Sequence, residues 1–300
     1  MCGIVGILGN HEAAPILVDG LKRLEYRGYD SAGIATVHNG KLERRRAVGK
    51  LVNLSDKLVH EPIRGKAGIG HTRWATHGAP NVQNAHPHQA GDVAVVHNGI
   101  IENYRELREE LAAKGATFET ETDTETVVKL CESILKQGVE PVEAARQTVA
   151  RLDGAYALCF LFDGQEDLLV AARKGSPLAI GHGDGEMYVG SDALALAPMT
   201  NKVTYLEEGD FAVLTRNSLE ITDSAGSLAN REMREISHGV ISADKGLYKH
   251  FMAKEIAEQP TVIAEAVKQY VHANGKQIML PNVDLDFSKI EKVTMVACGT

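Results

Sequence analysis

The sequence predicts an α+β domain built of two sheets with helices outside them, followed by the opening of a second domain. Three observations carry this reading. From Ile4 to about Lys114, short β-type runs are interleaved with amphipathic helical stretches. Asn39-Gly40 sits between two such runs and is a strong two-residue hairpin signal, so antiparallel pairing is present and a purely parallel sheet is disfavoured. The chain has 300 residues, 44% of them hydrophobic and 24% charged, which is globular in character and long enough for two domains.

Taken in order, Ile4–Leu8 reads as a strand, Ala13–Leu24 as a helix, and Ala32–His38 and Lys41–Val48 as the hairpin arms, the basic run Lys41–Arg46 forming one solvated face. Ala67–Thr72 and Asp92–Val96 read as strands and Glu102–Leu111 as a helix. Between Asp123 and Arg151 two helical patterns are broken at Gly138 and Pro141. Ala155–Phe162, Leu168–Ala172, Met187–Gly190 and Phe211–Thr215 are β runs. After Ile221 the chain turns polar and loses its period, so residues 1–221 are expected as the first domain and 222–247 as a linker. Residues 248–300 are expected to begin a second, incomplete domain: Tyr248–Val271 is a helical pattern interrupted at Gln259-Pro260, and Ile290–Ala297 is a strand entering Cys298-Gly299-Thr300.

Charge and cysteine usage exclude several classes. Lys plus Arg number 32 against 40 Asp plus Glu, a net charge of −8, which gives no general attraction to nucleic acid or anionic lipid. The start Met1-Cys2-Gly3-Ile4 has no signal-peptide character, and no run approaches the ~18 apolar residues of a membrane span. Four scattered cysteines without a CxxC pair point to a reducing compartment, the cytoplasm. Cys131 and Cys159 lie in apolar stretches and read as small buried hydrophobes. Twelve histidines, including His86-Pro87-His88, lack zinc-ligand spacing, and no metal or organic cofactor is expected. His86, His88 and His97 read by default as satisfied structural histidines.

Cys2 is different. Loss of Met1 would make it the first residue, placing an α-amine of unperturbed pKa about 7.7–8.0 beside the thiol, so one residue would supply both nucleophile and base. Spacing alone is weak support, because many chains carry Cys at this position. His97-Asn98-Gly99 follows a strand and precedes a helix, which puts an amide side chain and a glycine N–H at a strand end, as oxyanion donors require; an ordinary Asn-Gly turn is the alternative. The block Gly70–Gly78 holds Arg73, Trp74, Thr76 and His77, and Arg73 could grip a carboxylate with two parallel hydrogen bonds. Thr122 and Glu125 have capping-box spacing, and Asp123 could simply favour the dipole of the helix it opens.

Five segments occur together and in order: Met1–Gly6, Tyr26–Gly33, Gly70–Gly78, His97–Asn103 and Thr122–Glu125. With them the chain resembles the glutamine–fructose-6-phosphate aminotransferases. Residues 1 to about 221 look like their glutaminase domain, a class II glutamine amidotransferase. The resemblance implies the N-terminal-nucleophile hydrolase fold, a four-layer αββα sandwich, and Tyr248–Pro260 is similar to the segment that leads into the family's α/β sugar isomerase domain. It further implies Cys2 as nucleophile with its own amine as base, and Asn98 with the Gly99 N–H as oxyanion hole. Arg73 would bind the α-carboxylate of L-glutamine and Asp123 its α-amine, with Thr76 and His77 shaping the pocket. Trp74 would gate the ammonia path, and Arg27 and Tyr29 would lie on a mobile loop over the site.

Two sister groups fit worse. Amidophosphoribosyltransferases differ around Tyr26–Asp30 and usually lack a Trp at the position of Trp74, while asparagine synthetases typically read Arg-Gly-Pro-Asp where this chain has Arg27-Gly28-Tyr29-Asp30. The family continues through two isomerase subdomains, whereas the sequence reaches Thr300 just as the phosphate-binding turn begins. The expectation is therefore glutamine hydrolysis feeding hexosamine biosynthesis, with fructose-6-phosphate engaged only in a full-length enzyme. A homo-oligomer, if any, would form through the isomerase domain.

Overall fold

The computed structural model describes residues 2–236, 246–271, 278 and 289–294. The chain divides into a compact unit, Met1–Ala243, and a second unit, Asp244–Thr300.

The first unit begins with β1 (Gly3–Leu8), α1 (Ala13–Lys22), the hairpin β2 (Ser31–His38) and β3 (Lys41–Val48), α2 (Leu51–His60) and β4 (Ala67–Arg73). There follow β5 (His88–Ala90), β6 (Val93–Ile101), α3 (Tyr104–Ala113), α4 (Asp123–Leu135), α5 (Pro141–Val149), β7 (Gly154–Phe162) and β8 (Leu169–Lys174). The remainder is β9 (Ala179–His182), β10 (Met187–Gly190), α6 (Ala193–Leu196), β11 (Lys202–Tyr205), β12 (Phe211–Leu214), β13 (Leu219–Thr222) and β14 (Met233–Glu235).

The strands form an eight-stranded sheet, β14-β11-β9-β10-β1-β4-β2-β3, and a six-stranded sheet, β13-β12-β8-β7-β6-β5. All of their ladders are antiparallel. Alternation along each strand sorts the side chains into three cores. Ile4 and Leu8 of β1 meet Ala94, Val96, Ala157 and Cys159 between the sheets. Val5 and Ile7 turn the other way, onto Leu17 and Leu21 of α1 and Leu51 and Leu54 of α2. Val93, Val95, Leu158 and Phe160 face Leu107, Val127, Cys131 and Ala144 of α3, α4 and α5. The layers thus run helix, sheet, sheet, helix. Asn39 and Gly40 have φ of 50° and 72°, the left-handed pair that a tight hairpin demands. Cys131 and Cys159 are buried free thiols, Cys131 pushed up to about 12 by burial and Cys159 pushed up as well.

Several expectations are corrected. The strand expected over Asp92–Val96 runs on to Ile101, because β7 pairs with every residue of it from Val93↔Phe162 to Ile101↔Gly154. Asn98 and Gly99 therefore lie within a strand, not at its end. α2, β9, β11 and β13 were not anticipated; α2 buries only Leu51 and Leu54, and those four-residue strands interrupt their apolar residues with polar ones or glycine, so no apolar run marks them. The expected linker 222–247 contains β14, whose Met233–Glu235 pairs with Lys202–Thr204, and the compact unit extends past residue 221 accordingly. The basic run Lys41–Arg46 is only partly solvated: Arg44 donates to the Pro87 carbonyl at 3.1 Å, and Arg46 to the carbonyls of Gln83 and Ala85 at 2.8 and 2.7 Å.

In the second unit α7 (Phe251–Tyr270) continues through Pro260 where an interruption was expected. Proline removes one backbone donor without breaking this helix. Residues 290–294, where the strand Ile290–Ala297 was expected to begin, have no regular structure, and the rest of that strand with Cys298–Thr300 lies outside the described residues. Among the described residues no helix is long and apolar enough to cross a membrane.

Candidate active site

Cys2 immediately precedes β1 and Arg73 is the last residue of β4. The Gly3↔Thr72 pairing brings the two ends side by side. The Trp74 N–H donates to the Cys2 Sγ at 3.2 Å, and the thiol donates to the Trp74 carbonyl at 3.5 Å. Burial pushes the thiol above its ordinary range, while the Trp74 N–H and the Arg73 charge pull it down. At neutral pH Cys2 is consequently a protonated thiol.

Two further groups converge on the Cys2 carbonyl: Asn98 Nδ2 donates to it at 3.3 Å and an Arg27 guanidinium nitrogen at 3.4 Å. Arg27 is anchored from behind by Asp192 at 2.6 Å and by the Tyr26 hydroxyl at 3.2 Å, while the Tyr26 hydroxyl also donates to Asp192 at 2.7 Å. Asp192 is 165 residues from Arg27 in sequence, and no local signal announces it. The expected loop over the site therefore has Arg27 tied to Cys2 at one end. At the other, the Tyr29 hydroxyl donates to Glu25 and accepts from the Leu51 N–H at 2.7 Å.

Arg73 is buried, and its guanidinium gathers the loop that follows it. It donates to the carbonyls of His77, Gly78 (3.2 Å) and Ala79 (3.3 Å) and lies 3.8 Å from an Asp30 oxygen. Asp30 also accepts from the Ala75 N–H at 2.5 Å, so the two charges together fix the turn at Trp74 and Ala75. The Trp74 ring is 54% exposed and stacks so close to Gly28 that an added Cβ there would lie 3.0 Å from it. Thr76 and His77 find other partners: the Thr76 hydroxyl is 3.3 Å from His77 Nδ1, and the His77 ring meets Tyr104 edge-on at 5.6 Å.

Asn98 and Gly99 come from the second sheet. Gly99 has a φ of 123°, and a Cβ on it would lie 2.0 Å from the Ala155 carbonyl oxygen, so only glycine lets β6 and β7 stay paired here. Asp123, buried at the start of α4, accepts from the Ile101 N–H at 2.9 Å and the Thr124 N–H at 3.0 Å, which ties α4 to the strand two residues beyond Gly99. Half of the expected capping box forms: Thr122 accepts from the Glu125 N–H at 3.3 Å, but the Glu125 carboxylate accepts from Glu119 and Thr120 instead.

Behind these groups lies a buried layer of histidines. His71 Nε2 is 2.9 Å from both the His97 carbonyl and Asn98 Oδ1. The His71 ring stacks on His86 at 4.2 Å, and the Thr124 hydroxyl lies 2.9 Å from His86 Nε2 and 3.0 Å from His97 Nδ1. His88 reaches the Thr122 hydroxyl at 3.1 Å. Burial lowers all four pKa values, that of His71 to about 3. Among the described residues no group of three or more His, Cys, Asp or Glu is arranged to hold a metal ion.

The domain that brings a cysteine at the head of one antiparallel sheet to an amide donor on a second sheet is a glutamine amidotransferase domain. Residues 71–198 match the glutamine amidotransferase domain family, a stretch that includes Arg73, Asn98, Gly99 and Asp123. The fold agrees with two solved structures. Glutamine phosphoribosylpyrophosphate amidotransferase from B. subtilis superposes with a TM-score of 0.65 at 26% identity, over 76% of this chain and 50% of that one. An allosteric regulatory enzyme of purine biosynthesis gives 0.63 at 28%, over 74% and 49%.

Curated relatives specify the kind. Glutamine–fructose-6-phosphate aminotransferases of Bradyrhizobium diazoefficiens, Brucella suis and Zymomonas mobilis are 56%, 55% and 54% identical over 100% of this chain. The chain spans about half the length of these relatives, 50%, 49% and 49%. It carries the amino-terminal glutamine amidotransferase domain of the glutamine–fructose-6-phosphate aminotransferase family.

Proposed function

We propose that this chain hydrolyses L-glutamine to glutamate and ammonia through a thioester on Cys2, and that a longer protein containing it passes the ammonia to fructose-6-phosphate to form glucosamine-6-phosphate. The observation that carries the hydrolytic reading is the placing of the Asn98 amide N–H on the Cys2 backbone, across the seam between the two sheets. The acceptor is supported by whole-chain similarity to the aminotransferases at 54–56% identity, against 26–28% for the two solved structures.

The chemistry follows from the groups present. With Met1 removed, the Cys2 α-amine, of ordinary pKa about 8, takes the thiol proton as sulfur attacks the glutamine side-chain carbonyl carbon. Charge developing on the carbonyl oxygen is met by Asn98 Nδ2 and the Gly99 N–H. The tetrahedral adduct collapses as the ammonium proton on the amine passes to the departing nitrogen, leaving the thioester and free ammonia. Water then attacks the thioester with the amine again as base, and glutamate departs. Arg73 pairs with the substrate's α-carboxylate and Asp123, which retains unused lone pairs, with its α-amine. Thr76 and His77 border the pocket, Trp74 screens the ammonia from water, and Arg27 and Tyr29 belong to the loop that covers the bound substrate. A thiol nucleophile of this kind suits the reducing cytoplasm.

The test is intact mass before and after treatment with an electrophilic glutamine analogue, alongside assays of glutamate and ammonia. One adduct on Cys2 with matching loss of turnover is expected, and Cys2→Ala should abolish both. Turnover that survives in Cys2→Ala, or labelling confined to Cys131 or Cys159, would overturn the reading.

A further inference from the structure

Asn98 can serve an oxyanion only if its nitrogen, not its oxygen, faces the thiol. Nothing in the Asn98 side chain itself decides this, because the two ends of an amide have nearly the same shape. The Cys2 carbonyl, which can only accept, favours Nδ2 from one side, and from the other the decision comes from His71. Its Nε2 lies 2.9 Å from the His97 carbonyl, which can only accept, so Nε2 carries the proton. The same nitrogen lies 2.9 Å from the Asn98 side chain, and a group facing a donor there must be the amide oxygen. That leaves Nδ2 on the opposite side, where it meets the Cys2 carbonyl at 3.3 Å.

We propose that His71 is a positioning residue for glutamine hydrolysis: its Nε2–H, held as the single neutral tautomer, locks the Asn98 amide with Nδ2 toward Cys2. The assignment rests on the glutaminase reading above and adds to it a residue that touches neither substrate nor nucleophile.

The surroundings of His71 enforce that tautomer. Its Nδ1 is buried without a hydrogen-bond partner among the described residues, a place that tolerates a lone pair better than an N–H. Its ring is fully buried and stacked on His86, whose Nε2 is engaged by Thr124. The His86 loop is fixed in turn by the Arg46 bonds to Gln83 and Ala85 and the Arg44 bond to Pro87. It also presses on β2, where a Cβ at Gly33 would lie 2.2 Å from the His86 carbonyl. A fully buried ring, stacked on His86 and held at Nε2, has no room to flip, so the donor it presents to Asn98 is fixed before substrate arrives.

The experiment compares His71→Phe, which keeps a flat ring without a donor, and His71→Gln, whose amide N–H can reach the Nε2 position, with the parent chain. His71→Phe should lower kcat for glutamine by about 10- to 100-fold with KM changed by less than about twofold, a loss no larger than that for removing an oxyanion donor outright. His71→Gln should return to within about fivefold of the parent. In an Asn98→Ala background, His71→Phe should cost nothing further, since two members of one unit are not additive. Nitrogen NMR of the parent imidazole should show the proton on Nε2 near neutral pH, a readout that survives even where His71→Phe does not fold.

Equal kcat in folded His71→Phe and parent, the same additional loss in the Asn98→Ala background, or a proton on Nδ1 would each overturn the assignment while leaving glutamine hydrolysis intact. A parent chain that releases no glutamate would instead refute the glutaminase reading and take this assignment with it.

Discussion

Replacing Gly99 by alanine tests the strand geometry on which the proposed oxyanion site depends. The new Cβ would lie 2.0 Å from the Ala155 carbonyl oxygen and 3.0 Å from Tyr156 Cα, both of them backbone. Ordinary contact begins near 3.4 Å, so β6 and β7 must part by about 1.4 Å or Gly99 must abandon its φ of 123°. Gly115 provides the control, because its φ is 92° and nothing lies within 4 Å of a Cβ there. Gly115→Ala should carry only backbone strain, about 1 kcal/mol, whereas Gly99→Ala adds overpacking for a total on the order of 3–5 kcal/mol. At about 3 °C per kcal/mol for a domain of this size, Tm should fall about 3 °C for Gly115→Ala and about 9–15 °C for Gly99→Ala. Because oxyanion donors act over about 2.7–3.1 Å, a shift of this size should also take kcat for glutamine down about 10²–10³-fold, with Gly115→Ala unchanged. Thermal melts and steady-state kinetics on the two variants decide it. Equal melting temperatures, or a folded Gly99→Ala enzyme with parental kcat, would refute the reasoning.

Arg73→Lys should raise KM for glutamine at least about tenfold, because one ammonium cannot replace a fork that meets a carboxylate and also gathers the carbonyls of His77, Gly78 and Ala79; an unchanged kcat/KM would end that assignment. Protein shown by mass spectrometry to retain Met1 should not turn over glutamine, since an amide nitrogen cannot accept the thiol proton, and normal turnover by such material would exclude the amine as base. Acid should destabilise the fold through the histidine layer: burial lowers the folded pKa of His71, His86, His88 and His97, so between about pH 6.5 and their folded values the unfolded chain binds more protons and stability falls as pH falls. The loss approaches about 1.4 kcal/mol per pH unit for each such histidine, and urea midpoints that stay flat from about pH 7 to pH 5 would contradict it.

What the sequence offered for the proposed site was a set of residue types, and what it concealed was the contacts that orient them. A thiol at position 2, an Asn-Gly pair and an arginine beside a tryptophan are recognisable because few structural roles require those residue types together. The partners that orient them are ordinary residues made important by pairing across distance. Asp192 anchors Arg27 only because β10 lies beside β1, and His71 meets Asn98 only because the two sheets face each other there. The hairpin at Asn39-Gly40 was legible since a two-residue turn is a local event. β9, β11, β13 and β14 were not, because their three or four residues interrupt the apolar ones with polar residues or glycine, unlike the apolar runs of the equally short β10 and β12, and they are stabilised by their neighbours in the sheet. The same limit explains Arg44 and Arg46, which alternate along β3 as a solvated face would and yet spend their donors on the carbonyls of the His86 loop.

The arrangement also explains why the layer behind Asn98 is built of neutral histidines and not of charges. An oxyanion donor must be rigid before substrate binds, since reorganising a dipole during the reaction would return most of the benefit. A lysine or arginine at position 71 would bring a full charge into a buried layer and would have to be neutralised there. A histidine whose proton is confined to Nε2 supplies one donor at fixed distance, leaves no net charge, and stacks on His86 through a flat face. The accompanying weakness is acid: protonating His71 puts an uncompensated charge in a buried layer and places a second N–H at Nδ1, which has no partner among the described residues. Rigidity of the oxyanion donor and sensitivity of the fold to acid are therefore two consequences of one choice of residue, and His71→Gln should separate them: it keeps the donor but cannot be charged, so turnover persists near the parental level while the contribution of this residue to acid sensitivity is lost.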